Sequence, residues 1–128
     1  MLNYNKHQAE QFASGLIALG LKKGDRVGLL APNCTEWVIT QFGTALAGII
    51  QVNINPAYRT NELEYALKKV NCKAIIMNDS FKTQNYIQMI SSICPELDTH
   101  EPGDLKSKRL PDLKNVIIID DKKYKYII

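Results

Sequence analysis

The run from Trp37 to Tyr58 contains no Asp, Glu, Lys or Arg, and partway along it the spacing of its apolar residues changes. Val38, Phe42, Ala45 and Leu46 recur at helical spacing, and the small residues Gly43, Ala47 and Gly48 suit close approach of a neighbouring backbone. Ile49 to Ile54 then alternates with a period of two and ends at Asn55-Pro56, a dipeptide that stops a strand. A helix passing directly into a buried strand, with a second helix behind it, demands an α/β layer structure. Such an uncharged run is long enough to span a bilayer. However, Gln41, Gln51, Asn53, Asn55 and Pro56 lie inside it, and amides without partners are costly in hydrocarbon. The expectation is a buried helix and strand with no transmembrane segment.

The rest of the chain repeats the alternation. Asn33, three residues before Glu36, reads as a capping box opening the helix just described. Before it, residues 5–19 place Ala9, Phe12, Ala13, Leu16 and Leu19 on one helical face. Gly20 suits the left-handed residue that closes a helix, and residues 26–31 read as the first strand. Thr60 or Asn61 is expected to cap a helix bearing Leu63, Ala66, Leu67 and Val70, with Glu64 and Lys68 paired on its outer side. Lys73–Met77 is the third strand, and any of Asn78, Asp79 and Ser80 could cap the helix after it. Tyr86, Met89, Ile90 and Ile93 mark that fourth helix, ended by Pro95, and Val116–Ile119 is the fourth strand. Four helix–strand repeats predict a parallel sheet with helices on both faces and right-handed crossovers. Residues 1–128 read as one partial domain, with a long polar loop at 95–114.

The search for chemistry is mostly negative. Gly15 to Gly20 and Gly43 to Gly48 have the glycine spacing of a phosphate loop, yet neither is followed by Lys-Ser/Thr. Both lie on helical patterns, which reads as packing. No G-x-G-x-x-G follows a strand, and no G-x-S-x-G occurs. Glu62 and Glu64 point apart on a helix, so they do not form an acid/base pair. His7 falls on a surface helix and His100 in a polar loop. Cys34, Cys72 and Cys94 are odd in number, widely spaced and far in sequence from either histidine. This argues against a zinc site or a disulfide framework and favours a reducing compartment. The opening MLNYNKHQAEQ has neither the apolar core of a secretory signal nor the arginine-rich character of a transit peptide. Residues 106–128 carry seven Lys/Arg against three acids, with no interleaved aromatic platform before Tyr124, so a solvated surface is expected and not a nucleic-acid site.

Taken together, FASGL (12–16), GLKKGDRV (20–27), APNCTEW (31–37) and GIIQVNINPAYRTNEL (48–63) resemble the N-terminal part of AMP-forming acyl-CoA synthetases. LKKVNCKA (67–74), FKTQ (81–84), CPE (94–96) and PGDLKSKRLPDL (102–113) resemble the mitochondrial medium-chain members of that family. The resemblance implies the fold of an N-terminal subdomain of the large ligase domain. It also implies a two-step activation of a fatty acid, through an acyl-adenylate to acyl-CoA, with ATP, magnesium and CoA serving the full-length enzyme. A mitochondrial location is implied as well.

The family's phosphate loop, Thr-Glu magnesium motif, ribose motif, hinge and catalytic lysine do not occur in these residues. No catalytic, cofactor-binding or metal residue is therefore carried over, and the chain alone is expected to be inactive and to associate with the remaining ligase domains. Asn55, Pro56, Ala57 and Tyr58 match the family's best-kept local motif, whose plain reading is a turn. The rival expectations are a non-catalytic regulatory module, which either pairs with a full-length synthetase or binds CoA-like ligands through Lys106, Lys108, Arg109 and Lys114, or a translated fragment without function.

Overall fold

A computed structural model describes residues 2–31, 35–78, 80–81, 84–99, 105–120 and 123–126. Helix α1 (Leu2–Ala18) leads into strand β1 (Arg26–Leu30), followed by α2 (Thr35–Ala47), β2 (Ile50–Asn53), α3 (Thr60–Lys69) and β3 (Ala74–Asn78). A short hairpin of β4 (Ser80–Phe81) and β5 (Gln84–Asn85) precedes α4 (Tyr86–Ile93). A 3-10 turn (Pro95–Thr99) and the strands β6 (Asn115–Asp120) and β7 (Lys123–Tyr126) complete the chain. The main sheet has the order β2-β1-β3-β6-β7. Its first four strands are parallel, and β7 runs antiparallel beside β6.

The four expected strands form the parallel core, and the strand order follows from crossover geometry. The connection from β1 to β2 steps one way along the sheet, and those from β2 to β3 and β3 to β6 step the other way. Crossovers of one hand that reverse direction must put their helices on opposite faces. Accordingly, Phe12, Leu16 and Ile39 pack with Val27, Leu29, Ala74, Ile76 and Ile117 on one face. Leu63, Leu67, Tyr86, Ile90 and Ile93 pack with Leu30, Ile75, Met77, Val116 and Ile118 on the other. Alternate residues of β3 thus serve two separate cores, which is why that strand reads as a continuous apolar run.

Three helices end in the same way. Gly20 (φ 93°), Gly48 (φ 74°) and Asn71 (φ 51°) are left-handed residues. After each, the next residue's N–H reaches back five places: Leu21 to Leu16 at 3.2 Å, Ile49 to Thr44 at 2.8 Å, Cys72 to Leu67 at 3.1 Å. These are Schellman closures that turn the chain sharply into the following segment.

Several expectations are corrected. The apolar stripe Val38, Phe42 and Leu46 faces outward, whereas Ile39, Thr40, Gly43 and Thr44 form the buried side of α2. The hydroxyl of Thr44 donates to the carbonyl oxygens of Thr40 and Gln41, so burial leaves it satisfied. Of the four spaced glycines, Gly43 packs against Phe12 and Gly48 against the side chain of Lys23. Gly20 and Gly48 are helix closers, and Gly15 looks onto open space. Neither Thr60 nor Asn61 caps α3: Arg59 holds the cap position, and its backbone N–H donates to Glu62 at 3.4 Å. Asn85, beyond the hairpin, caps α4 by accepting from the N–H of Gln88 at 3.1 Å, in place of Asn78 or Ser80. The segment 95–114 contains the 3-10 turn and buries Leu97, Leu105, Leu110 and Leu113 in the core beneath α3 and α4. The caps expected of Asn33 and Asp79 lie outside the described residues, as do Cys34 and His100. Among the described residues no helix is long and apolar enough to cross a membrane.

Candidate functional site

In an open parallel sheet, ligands approach the carboxyl ends of the strands where neighbouring crossovers leave in opposite directions. Here that point lies between β1, whose chain departs toward β2, and β3, whose chain departs toward β6. The described residues around it are Ala31 after β1, the segment from Asn53 to Tyr58 after β2, and Asn78 at the end of β3.

The segment after β2 is rigid for local reasons. The side-chain oxygen of Asn55 accepts from the N–H of Ala57 at 2.9 Å, and its carbonyl accepts from the N–H of Tyr58 at 3.0 Å. This is the turn expected of Asn55-Pro56, with asparagine bonding its own backbone two residues on. The phenol of Tyr86 then donates to the carbonyl oxygen of Pro56 at 2.6 Å, anchoring the turn to the start of α4. Beside it, Val52–Asn55, Tyr58, the outer side of α3 from Asn61 to Lys69 and the following Val70 border an open groove of about 580 Å³.

The chemistry on offer is limited. Asn78 presents a buried side-chain oxygen with no hydrogen-bond donor among the described residues. Ala31, Asn53, Asn55 and Asn78 are uncharged, so these strand ends do not by themselves suit a magnesium ion or a triphosphate. No group of three or more His, Cys, Asp or Glu comes together among the described residues. Cys72 and Cys94 are buried free thiols. Burial pushes the Cys72 thiol up to about 11, and it raises Cys94 as well, so neither is an activated nucleophile. His7 is exposed on α1.

Of the basic residues between 105 and 114, Arg109 is committed to an acidic partner. The guanidinium of Arg109 binds both oxygens of Glu64, with Nε to Oε2 at 2.8 Å, and also donates to the carbonyl of Ser92 at 3.3 Å. Glu64 is therefore paired with Arg109, and not with Lys68 as its spacing suggested. Lys106, Lys108 and Lys114 are exposed. Lys73 lies 3.6 Å from Asp112, a surface ion pair.

A parallel sheet with helices on both faces and a switch point between the neighbouring strands β1 and β3 defines the doubly wound α/β class. Within that class, the family model described as AMP-binding enzyme matches residues 5–125, and the chain belongs to this family. It is 54% identical over 115 residues to the medium-chain acyl-CoA ligase ACSF2, mitochondrial, of Bos taurus, covering 90% of this chain and 19% of that protein. Among solved structures, the anthranilate CoA ligase AuaEII in complex with anthranoyl-AMP superposes with a TM-score of 0.72. Its identity is 29%, with 90% of this chain and 19% of that one covered. The N-terminal domain of FACL13 from Mycobacterium tuberculosis gives a TM-score of 0.69 at 25% identity, covering 89% of this chain and 25% of that one. The chain thus spans about a fifth of the length of the curated relative it matches.

Proposed function

We propose that these residues are the N-terminal portion of a medium-chain acyl-CoA ligase. The whole enzyme would join a fatty acid to CoA through an acyl-adenylate, using ATP and magnesium, in the mitochondrion. The observation that carries this reading is the 54% identity to the bovine medium-chain ligase, maintained over 90% of the chain. In this reading the chain is one structural layer of the large ligase domain and holds no catalytic residue of its own. Its contribution is a rigid sheet edge, fixed by Asn55, Pro56 and Tyr86, against which other parts of the enzyme assemble. The uncharged strand ends support that division of labour, since adenylate formation needs cations and donors placed around the phosphates.

The test is acyl-dependent ATP–pyrophosphate exchange. The purified chain should show none above background with medium-chain acids, and exchange by this chain alone would refute the scaffold reading. Restored exchange is expected when these residues replace the matched stretch of the bovine ligase. The rival reading, a module that binds CoA through its basic end, is weakened by the commitment of Arg109 to Glu64. A saturable, salt-sensitive CoA titration of the isolated chain would revive it.

A further inference from the structure

Helix α2 is apolar on two sides. Ile39, Thr40, Gly43 and Thr44 are buried, with Gly43 seated against Phe12 of α1. On the outward side Val38, Phe42 and Leu46, at i, i+4 and i+8, are 37%, 58% and 60% exposed. Gln41 and Ala45 share that side, and no charged residue occurs between Trp37 and Tyr58. A surface helix ordinarily carries charge on its outer face, and a helix apolar all round is one that is covered on all sides.

The covering layer can be argued from size and charge. Three large side chains on one helix fall well short of the roughly 800 Å² per partner that a stable free-standing complex buries. Such a contact is sufficient when both sides belong to one chain, where linkage supplies a high effective concentration. The bovine relative is about five times as long as the stretch matched here, and the FACL13 N-terminal domain about four times. A seam without charge also demands an apolar, uncharged counterpart, because an unpaired charge buried against it would be costly.

Resting on the ligase reading above, we propose that the Val38–Phe42–Leu46 stripe is an internal seam of the enzyme. It is the surface on which a neutral, apolar layer from the remainder of an AMP-binding enzyme's large domain packs, and it is not a contact between copies.

The experiment uses the full-length bovine ligase with its matched 115 residues replaced by those of this chain. Thermal unfolding is then compared for Phe42→Glu, Leu46→Glu and the control Gln88→Glu, an exposed position of α4 on the other face of the sheet. The parent chimera should melt cooperatively. Phe42→Glu and Leu46→Glu should each lower the midpoint by about 5 °C or more, against about 1 °C or less for Gln88→Glu, as expected when only the first two are buried by a partner layer. Equal shifts for all three variants would overturn the proposal, as would a chimera with no cooperative transition. So would a discrete dimer of the isolated chain in sedimentation equilibrium that Phe42→Glu dissociates, which would give the stripe to a second copy. If the chimera shows the expected melting pattern but no acyl-dependent exchange, the seam is supported and the ligase reading is what fails.

Discussion

The phenol of Tyr86 donates to the carbonyl of Pro56 across thirty residues of sequence, joining the first turn of α4 to the turn that ends β2. Tyr86 is fully buried, so its hydroxyl needs a partner, and the Asn55–Tyr58 turn supplies one at the carboxyl edge of the sheet. Replacing Tyr86 by Phe removes the donor and keeps the ring. The substitution should lower stability by about 1 kcal/mol, read as a drop in denaturant midpoint with unchanged m-value. An unchanged midpoint would mean that the turn is held in some other way.

Gly43 shows how closely α1 and α2 approach. A Cβ added there would lie 2.7 Å from Cδ2 of Phe12 and 3.1 Å from the backbone carbonyl of Ala9. Alanine would favour the helix by about 1 kcal/mol. The overpacking, typically about 1–3 kcal/mol, should win because one of the clashing atoms is backbone. Gly43→Ala should therefore destabilise, and Phe12→Leu should recover part of the loss in the double variant. A stabilised Gly43→Ala protein would show that the two helices are farther apart.

The Arg109–Glu64 pair acts as a local clasp. It ties the segment after 105 to α3, while the backbone N–H of Lys108 donates to Glu96 at 3.2 Å and Arg109 reaches the carbonyl of Ser92. Both partners are partly in water, so the global melting point should hardly move in Glu64→Gln. Hydrogen exchange at Lys108 to Leu110 should accelerate severalfold, because the segment loses its anchor. Unaltered protection there would mean that the buried leucines alone hold the segment.

Alkaline pH should loosen the fold. Burial raises the thiols of Cys72 and Cys94 and the phenol of Tyr86 above their ordinary values, Cys72 from 9.0 to about 11. The folded state therefore favours their neutral forms. Their contribution is fully present below the unfolded thiol value near 9.0 and is lost as pH rises toward about 11, where the unfolded chain binds fewer protons. Denaturation midpoints measured from pH 7 to 11 should be flat at first and then fall. The Cys72→Ala variant should fall less steeply between pH 9 and 11, and an identical slope would remove Cys72 from the account.

Much of the fold is legible along the chain because helices and strands announce themselves by local period. Leu63, Leu67, Ile90 and Ile93 lie where their spacing places them, and Gly20 closes α1 as a left-handed residue. Asn55-Pro56 is legible as a turn because asparagine bonds its own backbone. The hairpin Ser80–Phe81 with Gln84–Asn85 is too short to carry a period, so the cap of α4 is misread as lying before it. Strand β7 carries an alternation in Lys123–Tyr126, but pairing beside β6 depends on a neighbour that periodicity does not name.

The sequence by itself determined the number and order of the core elements, the closure of α1 at Gly20 and the class of sheet, since each depends on residues a few places apart. Tertiary structure alone decided which side of α2 is covered here. Spacing points to Val38, Phe42 and Leu46 as the apolar face. The close approach of α1 instead requires the small and satisfiable residues Gly43, Thr40 and Thr44 inside, and turns the larger ones outward. Partner geometry, not hydrophobicity alone, chooses between two apolar faces of one helix.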